Sequence, residues 1–225
     1  MKELEVKSLM DLDKTIAKDI FDDVTYPWEV LPLIHDYVIK LGNTLSEEIF
    51  EKKGDDIWIA KSATIAETAS ITGPCIIDEG ATLRPGAFVR GNVIVGKKTT
   101  VGNSTELKNV ILFDEVEVPH YNYVGDSVLG YKAHMGAGAI TSNVKNDKTN
   151  VVVKAGETKI ETGLRKFGAM LGDWVQVGCN CVLNPGTVIG AKTNVYPLNS
   201  IRGFVPGEMI YKEKDCIVQK NHKYL

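Results

Sequence analysis

The sequence has little cysteine and little net charge, and both shortages exclude classes of protein. Four cysteines among 225 residues show neither a metal-binding spacing nor a pairing pattern, so no zinc site or disulfide framework is indicated. The balance of 26 basic against 29 acidic residues argues against nucleic acid or an anionic membrane as the main partner. The opening MKELEVKSLMDLDK has no apolar signal core, and no later stretch is long and apolar enough to span a bilayer. We therefore expect a cytoplasmic protein with no metal site, no nucleic-acid partner and no membrane partner.

What the sequence does contain is a large apolar residue at every sixth position, in two long runs. The first run comprises Ile59, Ile65, Ile71, Ile77, Leu83, Val89, Val95, Val101, Leu107 and Phe113, and the second comprises Leu171, Val177, Leu183, Ile189, Val195 and Ile201. A period of six fits neither an α-helix nor an alternating strand, and hexapeptide repeats build β-helices. The sequence therefore predicts an all-β solenoid in which three hexads close each coil. Because hexad prisms are known to coil left-handed, we expect a left-handed parallel β-helix.

The hexads divide the chain into three regions. Residues 1–54 lack them, and TYPWEVLPLIHDYVIKLG predicts a turn and a short amphipathic helix that ends near Gly42. We expect this helical segment to cap the open end of the solenoid, where strand edges would otherwise be unpaired. The β-helix is predicted over residues 55–201, and residues 202–225 form a charged, irregular tail.

Two interruptions mark where the regular prism is disturbed. The phase slips between Phe113 and Tyr123, and the hexads vanish over about 144–168, where VVVKAGETKIET predicts a hairpin with its turn near Gly156. A solenoid has flat faces and a filled interior, so chemistry must use a loop, an insertion or a subunit interface. Three flat faces also favour a closed cyclic trimer with clefts between neighbouring prisms.

Two of the four histidines lie in or beside the first interruption, in PHYNYVGD and HMGAGAITSN. Histidine exchanges protons near neutral pH, although hydrogen bonding between coils is an alternative role. With TELKN, these motifs resemble the acetyltransferase domain of bifunctional N-acetylglucosamine-1-phosphate uridyltransferase/glucosamine-1-phosphate acetyltransferases. They also resemble archaeal-type sugar-1-phosphate nucleotidylyltransferases, which carry a C-terminal left-handed β-helix with such a hairpin. The resemblance covers roughly residues 80–205 and depends on the order and spacing of Lys108, His120, Tyr123 and Asn143.

The resemblance implies transfer of acetyl from acetyl-CoA to the amine of glucosamine 1-phosphate or galactosamine 1-phosphate. That reaction belongs to UDP-N-acetylglucosamine biosynthesis and uses sites between subunits of a homotrimer. By residue match, His120 is the general base. The implied substrate-binding residues are Arg84, Lys108, Tyr123, His134 and Asn143. The residues implied to bind acetyl-CoA are Gly136, Ala137, Cys179 and Pro197, with the amides at Gly136 and Ala137 facing the acetyl group.

The chain departs from the family pattern at several of these positions. Arg84, in LRPG, lies one hexad further from Gly102 than the pattern requires, which makes Arg90 an alternative. His134 stands where the bacterial enzyme has asparagine, and Cys179 stands where a serine is usual. The stretch VKNDK after Asn143 also differs, which leaves the role of Lys148 open.

Other functions remain as alternatives. About fifty residues before the β-helix cannot hold a nucleotidyltransferase domain, and no Gly-rich phosphate loop is present, so we expect no uridylyltransferase activity. A non-catalytic sugar-phosphate-binding or scaffold subunit would keep the pocket without turnover, and an acyltransferase could act on a nucleotide-linked amino sugar. A γ-type carbonic anhydrase uses the same prism but needs three histidines at a different spacing from His120 and His134.

Overall fold

The computed structural model describes residues 1–221, so the last four residues of the predicted tail lie outside it. The α-helices are α1 (Val6–Leu9) and α2 (Ile34–Gly42), and the 3-10 turns are Lys2–Leu4, Leu12–Lys14, Lys18–Phe21 and Pro27–Val30. The strands are β1 (Phe50–Lys52), β2 (Ile57–Ala60), β3 (Thr64–Ile65), β4 (Ser70–Thr72), β5 (Cys75–Ile77), β6 (Thr82–Leu83), β7 (Phe88–Arg90), β8 (Val93–Val95), β9 (Thr100–Asn103), β10 (Glu106–Leu112), β11 (Glu117–His120), β12 (Tyr123–Leu129), β13 (His134–Met135), β14 (Ile140–Thr141), β15 (Val152–Ala155), β16 (Thr158–Glu161), β17 (Ala169–Leu171), β18 (Gln176–Val177), β19 (Val182–Leu183), β20 (Thr187–Ile189), β21 (Asn194–Val195), β22 (Ser200–Ile201), β23 (Phe204–Val205), β24 (Met209–Glu213) and β25 (Cys216–Gln219). Within residues 1–221, no helix has the length and apolar character that crossing a membrane requires.

The strands wind into a parallel β-helix with three faces. Face 1 contains β2, β5, β8, the second halves of β10 and β12, and β17, β20 and β23. Face 2 contains β3, β6, β9, β11, β13, β18, β21 and β24, and face 3 contains β4, β7, the first halves of β10 and β12, and β14, β19 and β22. Most neighbours in a face are eighteen residues apart, as Ile57, Cys75 and Val93 are. The predicted hexad solenoid is confirmed.

The interior of the prism is filled by the large residue of each hexad. Leu83 is 1% exposed, and Val101 and Leu107 are fully buried. Burial of each such side chain contributes about 1.5–3 kcal/mol relative to exposure. Because the interior is packed, any ligand must bind on an outer surface.

The slip in register lies earlier than the sequence analysis placed it. Val95 pairs with Leu112, not with Phe113, and Leu112 pairs in turn with Leu129. The assignment of Phe113 to the interior register is therefore wrong; its ring packs against Phe21, with 5.8 Å between ring centroids. The step from Leu107 to Leu112 is a pentad, and adjacent apolar residues at 112 and 113 hide the shortening in the sequence.

The N-terminal segment covers face 1 instead of the end of the solenoid. Helix α2 packs on β5, β8 and β10, and the Asp11 amide donates to Asp173 Oδ2 at 2.8 Å. The outward-facing residues of face 1 are apolar and fully buried, namely Ile76, Ile94, Ile111, Val128, Met170 and Val188. A large exposed apolar surface is unfavourable in water, so the N-terminal segment packs on this face. This explains why it does not cap the end of the solenoid as predicted. Of the N-terminal segment, only β1 lies at the end of the solenoid, where it pairs antiparallel with the exposed edge of β2.

The C-terminal part also extends further than predicted. Strands β23 and β24 continue the coils beyond residue 201, and β25 folds back antiparallel on β24. The insertion forms the predicted hairpin from β15 and β16, with Gly156 at φ 58° in the turn. The hairpin folds against the prism at Gly203, where a Cβ would lie 2.6 Å from the Lys154 carbonyl oxygen.

One buried carboxyl group sets a pH-dependent stability. Asp78 is fully buried, its Oδ2 has no hydrogen-bond partner among the described residues, and burial raises its pKa to about 6. Because the pKa of Asp78 in the folded state lies above its ordinary value, the free energy of unfolding falls as pH rises from about 4 to about 6. It stays lowered at higher pH. We expect Asp78→Asn to raise the free energy of unfolding by up to about 3 kcal/mol at pH 7.5 and by little near pH 4.

Urea denaturation at both pH values measures this difference, with the exposed Asp23→Asn as the control. A gain that is equally large at the two pH values would contradict the assignment.

A second prediction tests the docking of the N-terminal segment. Alanine is normally the better helix former than glycine, by about 1 kcal/mol. At Gly42, however, a Cβ would lie 2.3 Å from Cε3 of the buried Trp58 ring. We expect Gly42→Ala to destabilise the protein by roughly 1–3 kcal/mol, whereas Lys40→Ala on the exposed side of the same helix should change stability by less than about 0.5 kcal/mol. Thermal denaturation measures both, and a stabilised Gly42→Ala variant would refute the packing.

Candidate active site

The predicted catalytic residue and three predicted acetyl-CoA residues stack along the corner between faces 2 and 3. The Gly138 amide donates to the His120 carbonyl at 3.0 Å, and the Asn180 amide donates to the Ala137 carbonyl at 2.9 Å. The Leu198 amide donates to the Cys179 carbonyl at 2.9 Å. Successive members are therefore about 4.8 Å apart, one per coil. We name this row the corner column; it consists of His120, Ala137, Cys179 and Pro197.

Beside the corner column, face 2 presents bare backbone. A Cβ on Gly136 would lie 2.7 Å from the Cys179 amide nitrogen, and a Cβ on Gly178 would lie 2.5 Å from the Pro197 nitrogen. Gly136, the fourth predicted acetyl-CoA residue, thus belongs to a glycine strip formed by Gly102, Gly136 and Gly178. The neighbouring Ala137 N–H has no hydrogen-bond partner within residues 1–221. Glycine is therefore required at these positions for the coils to stack, and the Ala137 N–H beside them is an available donor.

On face 3, Tyr123 and Asn143 lie close to each other. The Asn143 Nδ2 donates to Tyr123 Oη at 3.3 Å. A Cβ at Gly125 would lie 2.5 Å from the same phenol oxygen, so glycine makes the room that the ring occupies. Burial raises the pKa of Tyr123, and the carboxylates of Asp126 and Glu106 raise it further. The phenol is therefore a neutral hydrogen-bond donor at physiological pH.

A buried carboxylate that the sequence analysis missed holds Lys108 and Asn143 in place. Asp126 is 3% exposed and accepts from Lys108 Nζ at 3.1 and 3.3 Å, from Asn109 Nδ2 at 2.9 Å and from Asn143 Nδ2. Asn109 and Asp126 stand at the corner that the pentads create, with φ of 54° and 48°. Buried charges require partners of this kind. The signal in the sequence was an aspartate inside an otherwise apolar strand.

The structure places Arg90, not Arg84, beside Lys108. Strand β7 pairs with β10 so that Phe88 faces Glu106, which puts Arg90 one coil from Lys108 in the same row. The Arg90 guanidinium donates to Glu106 Oε1. Arg84 follows β6 on face 2, where its amide donates to the Val101 carbonyl. Arg84 therefore lies on another face from Lys108, because the eighteen-residue stacking, and not the motif LRPG, decides which arginine is adjacent to that lysine.

His134 does not join Lys108 and Tyr123 within one chain. It lies on face 2, where Glu117 pairs with it across neighbouring strands. Its Nδ1 is 2.9 Å from Glu117 Oε2. The corner column and the glycine strip separate His134 from face 3.

A second residue missed from the sequence is Asn122, which fixes the position of His120. It is 2% exposed, and its Oδ1 accepts from the His120 amide at 3.1 Å. Its Nδ2 donates to the carbonyls of Gly136 and Ala139, both at 2.9 Å. One amide thereby joins the His120 corner to the glycine strip in the next coil.

Comparison with known proteins identifies the family of this chain. The family model described as the GMPPB C-terminal domain matches residues 71–193. The chain belongs to the GMPPB C-terminal domain family. A relative from Methanococcus maripaludis, named bifunctional protein GlmU, is 33% identical over 222 residues, which cover 90% of this chain and 50% of the relative. The resemblance to a GlmU acetyltransferase-like domain is therefore confirmed.

Two further comparisons cover less or are more distant. A bifunctional sugar-1-phosphate nucleotidylyltransferase/acetyltransferase of Sulfurisphaera tokodaii is 37% identical over 94 residues, which cover 42% of this chain and 23% of the relative. The crystal structure of a hexapeptide transferase family protein from Anaplasma phagocytophilum matches with a TM-score of 0.42 and 16% identity over 73% of this chain and 79% of that chain. The chain spans about half the length of the curated relatives that it matches over most of its own length.

The role of Asn122 can be tested by removing its amide. Asn122→Ala leaves the His120 amide without its partner and removes one donor from each of the Gly136 and Ala139 carbonyls, so we expect a loss of roughly 1–3 kcal/mol in the free energy of unfolding. Asn103→Ala is the matched control, because this exposed amide donates only to the Pro85 carbonyl, at 3.2 Å; its cost should stay below about 1 kcal/mol. Equal costs for the two variants, measured by urea denaturation, would show that Asn122 has no special role.

Proposed function

We propose that this chain is an acetyl-CoA-dependent N-acetyltransferase acting on the amine of an amino-sugar 1-phosphate. The observation that carries the proposal is the corner column, which sets His120 one coil from the Ala137 amide and next to Tyr123 on face 3. The names of the relatives from Methanococcus maripaludis and Sulfurisphaera tokodaii, both bifunctional and one explicitly an acetyltransferase, support it.

In this proposal His120 acts as the general base. Acetyl-CoA supplies an acetyl thioester, whose carbonyl carbon the sugar amine attacks. His120 accepts the proton that the amine loses and returns it to the departing thiolate, so that the N–C bond forms as the C–S bond breaks. The Ala137 N–H donates to the carbonyl oxygen as negative charge develops there. General-base catalysis of this kind contributes about 10²–10⁴-fold in rate.

The sugar phosphate is assigned to face 3. Arg90 and Lys108 are cationic neighbours in one row, and the neutral phenol of Tyr123 adds a donor. Glu106 and Asp126 hold the two cations in position, which reduces the side-chain entropy lost when a phosphate binds. Asn143 Nδ2, fixed by Asp126, lies at the edge where the sugar hydroxyls would be held.

Acetyl-CoA is assigned to the glycine strip and the corner column. The wall there consists of the closely stacked backbone at Gly136 and Gly178 and the small side chains of the corner column. Cys179, which is exposed, takes the place of the usual serine, and its thiol is a weaker hydrogen-bond donor than a hydroxyl.

A homotrimer would complete the site. The candidate residues lie on two faces of one prism, with His134 on face 2 and Lys108 on face 3. Within one chain these faces diverge from the corner column. A cyclic neighbour would close a cleft over that column and bring a second His134 toward the bound sugar.

The experiment follows CoA thiol release from acetyl-CoA with glucosamine 1-phosphate, galactosamine 1-phosphate or a UDP-linked amino sugar. We expect turnover with a sugar 1-phosphate, a fall of at least about 100-fold in kcat for His120→Ala, and a raised KM for the sugar phosphate in Arg90→Ala. Arg84→Ala is the matched control, since it removes the same group from face 2, and its KM should stay within about two-fold of the parent.

Absence of release with all three acceptors would refute the acetyltransferase proposal. Release with the UDP-linked sugar alone would reject a sugar 1-phosphate as the acceptor. A fully active His120→Ala variant would reject His120 as the general base. Sedimentation of the parent protein tests the assembly, where an active monomer would exclude the shared site.

A further inference from the structure

A second cleft opens on face 2, at its edge with face 1 and across the face from the corner column. Its volume is about 290 Å³. The side chains that line it include Glu115, Glu117, Lys132, His134, Trp174 and Gln176. Apart from His134, none of these has a part in the proposed acetyl transfer.

The cleft is built around an exposed tryptophan. Trp174 is 45% exposed, whereas Trp28 and Trp58 are 2% and 4% exposed. Its backbone φ is 61°, a left-handed conformation that is rare for a bulky aromatic residue. The ring is held in place by the edge of Tyr131, at 5.6 Å between centroids and 88° between planes, and by Lys132 Nζ at 4.4 Å. An apolar ring is therefore kept rigidly at the surface.

The charged groups around the ring balance each other. Lys132 Nζ lies 3.3 Å from Glu115 Oε2, and the Tyr131 hydroxyl donates to Glu115 Oε1 at 3.1 Å. Glu117 contacts His134, as described above. With Lys98 also lining the cleft, two lysines face two glutamates. The cleft thus offers both donors and acceptors but no excess of positive charge.

We propose that this cleft binds a neutral hexopyranose unit. A pyranose ring presents a face of C–H groups that packs on an indole, and a rim of hydroxyls that each donate and accept hydrogen bonds. The Trp174 ring matches that face, and the carboxylates and the Gln176 amide match the rim. A nucleotide base would also stack on the ring, so ADP is the competing ligand that the experiment compares with the sugars. The proposal does not depend on acetyl transfer, because binding needs only this cleft.

Tryptophan fluorescence gives a direct readout, because Trp174 is the one exposed tryptophan in the described chain. The protein is titrated, without acetyl-CoA, with methyl α-D-glucopyranoside, N-acetylglucosamine and ADP. We expect a saturable change in emission with at least one of the two sugars at a Kd on the order of 1 mM, and no comparable change with ADP. Calorimetry on the variants should show a Kd raised at least ten-fold in Trp174→Ala and several-fold in Gln176→Ala.

Leu33→Ala is the matched control, because Leu33 is 46% exposed and lies in the N-terminal segment, away from the cleft; its Kd should not change. Circular dichroism confirms that each variant is folded. Lack of saturable binding of either sugar up to about 50 mM would overturn the proposal, as would tighter binding of ADP than of the sugars. Unchanged affinity in a folded Trp174→Ala would place the sugar elsewhere and also overturn it.

Discussion

The hydrogen bonds between coils are the constraint on which the rest of the structure depends. Backbone amides in the strands donate to carbonyls of the neighbouring coil, so a residue is held directly against the residue about eighteen positions away. Chemistry that is scattered along the sequence is thereby collected into straight rows with one fixed spacing. His120, Ala137 and Cys179 are far apart in the chain but are neighbours in the corner column, and none of them depends on a flexible loop for its position.

The same constraint explains why two shortened repeats matter. When the step from Leu107 to the next inward residue loses one position, β10 runs through a corner without a break. The corner then exposes Asn109 to Asp126 of the following coil, and the aspartate becomes buried beside Lys108. A buried carboxylate is costly unless it is fully paired. Asp126 is paired with Lys108 and Asn143, two residues of the candidate site. The same hydrogen bonds therefore stabilise the fold and position these side chains.

The sequence predicted the solenoid and the hairpin around Gly156, because each of these follows from a local repeat or motif. It did not predict that Leu112 and not Phe113 points into the prism, since both are large apolar residues and either would fill the interior. It also favoured Arg84 over Arg90. A motif within one hexad cannot reveal which side chain stacks on Lys108; only the strand register does. Asn122 and Asp126 were missed because their partners come from other coils.

Covering face 1 decides where function can lie. The N-terminal segment buries the apolar outer residues of that face, such as Ile94 and Ile111, and an equally apolar face left open would favour aggregation. Faces 2 and 3 keep polar outward residues such as Glu117 and His134 on face 2 and Arg90 and Lys108 on face 3, and their shared corner carries a stack of small residues with a histidine. A ligand that must reach both the glycine strip on face 2 and the cations on face 3 has to cross that corner. His120 stands at the crossing, which is the strongest physical reason to give it the proton transfer.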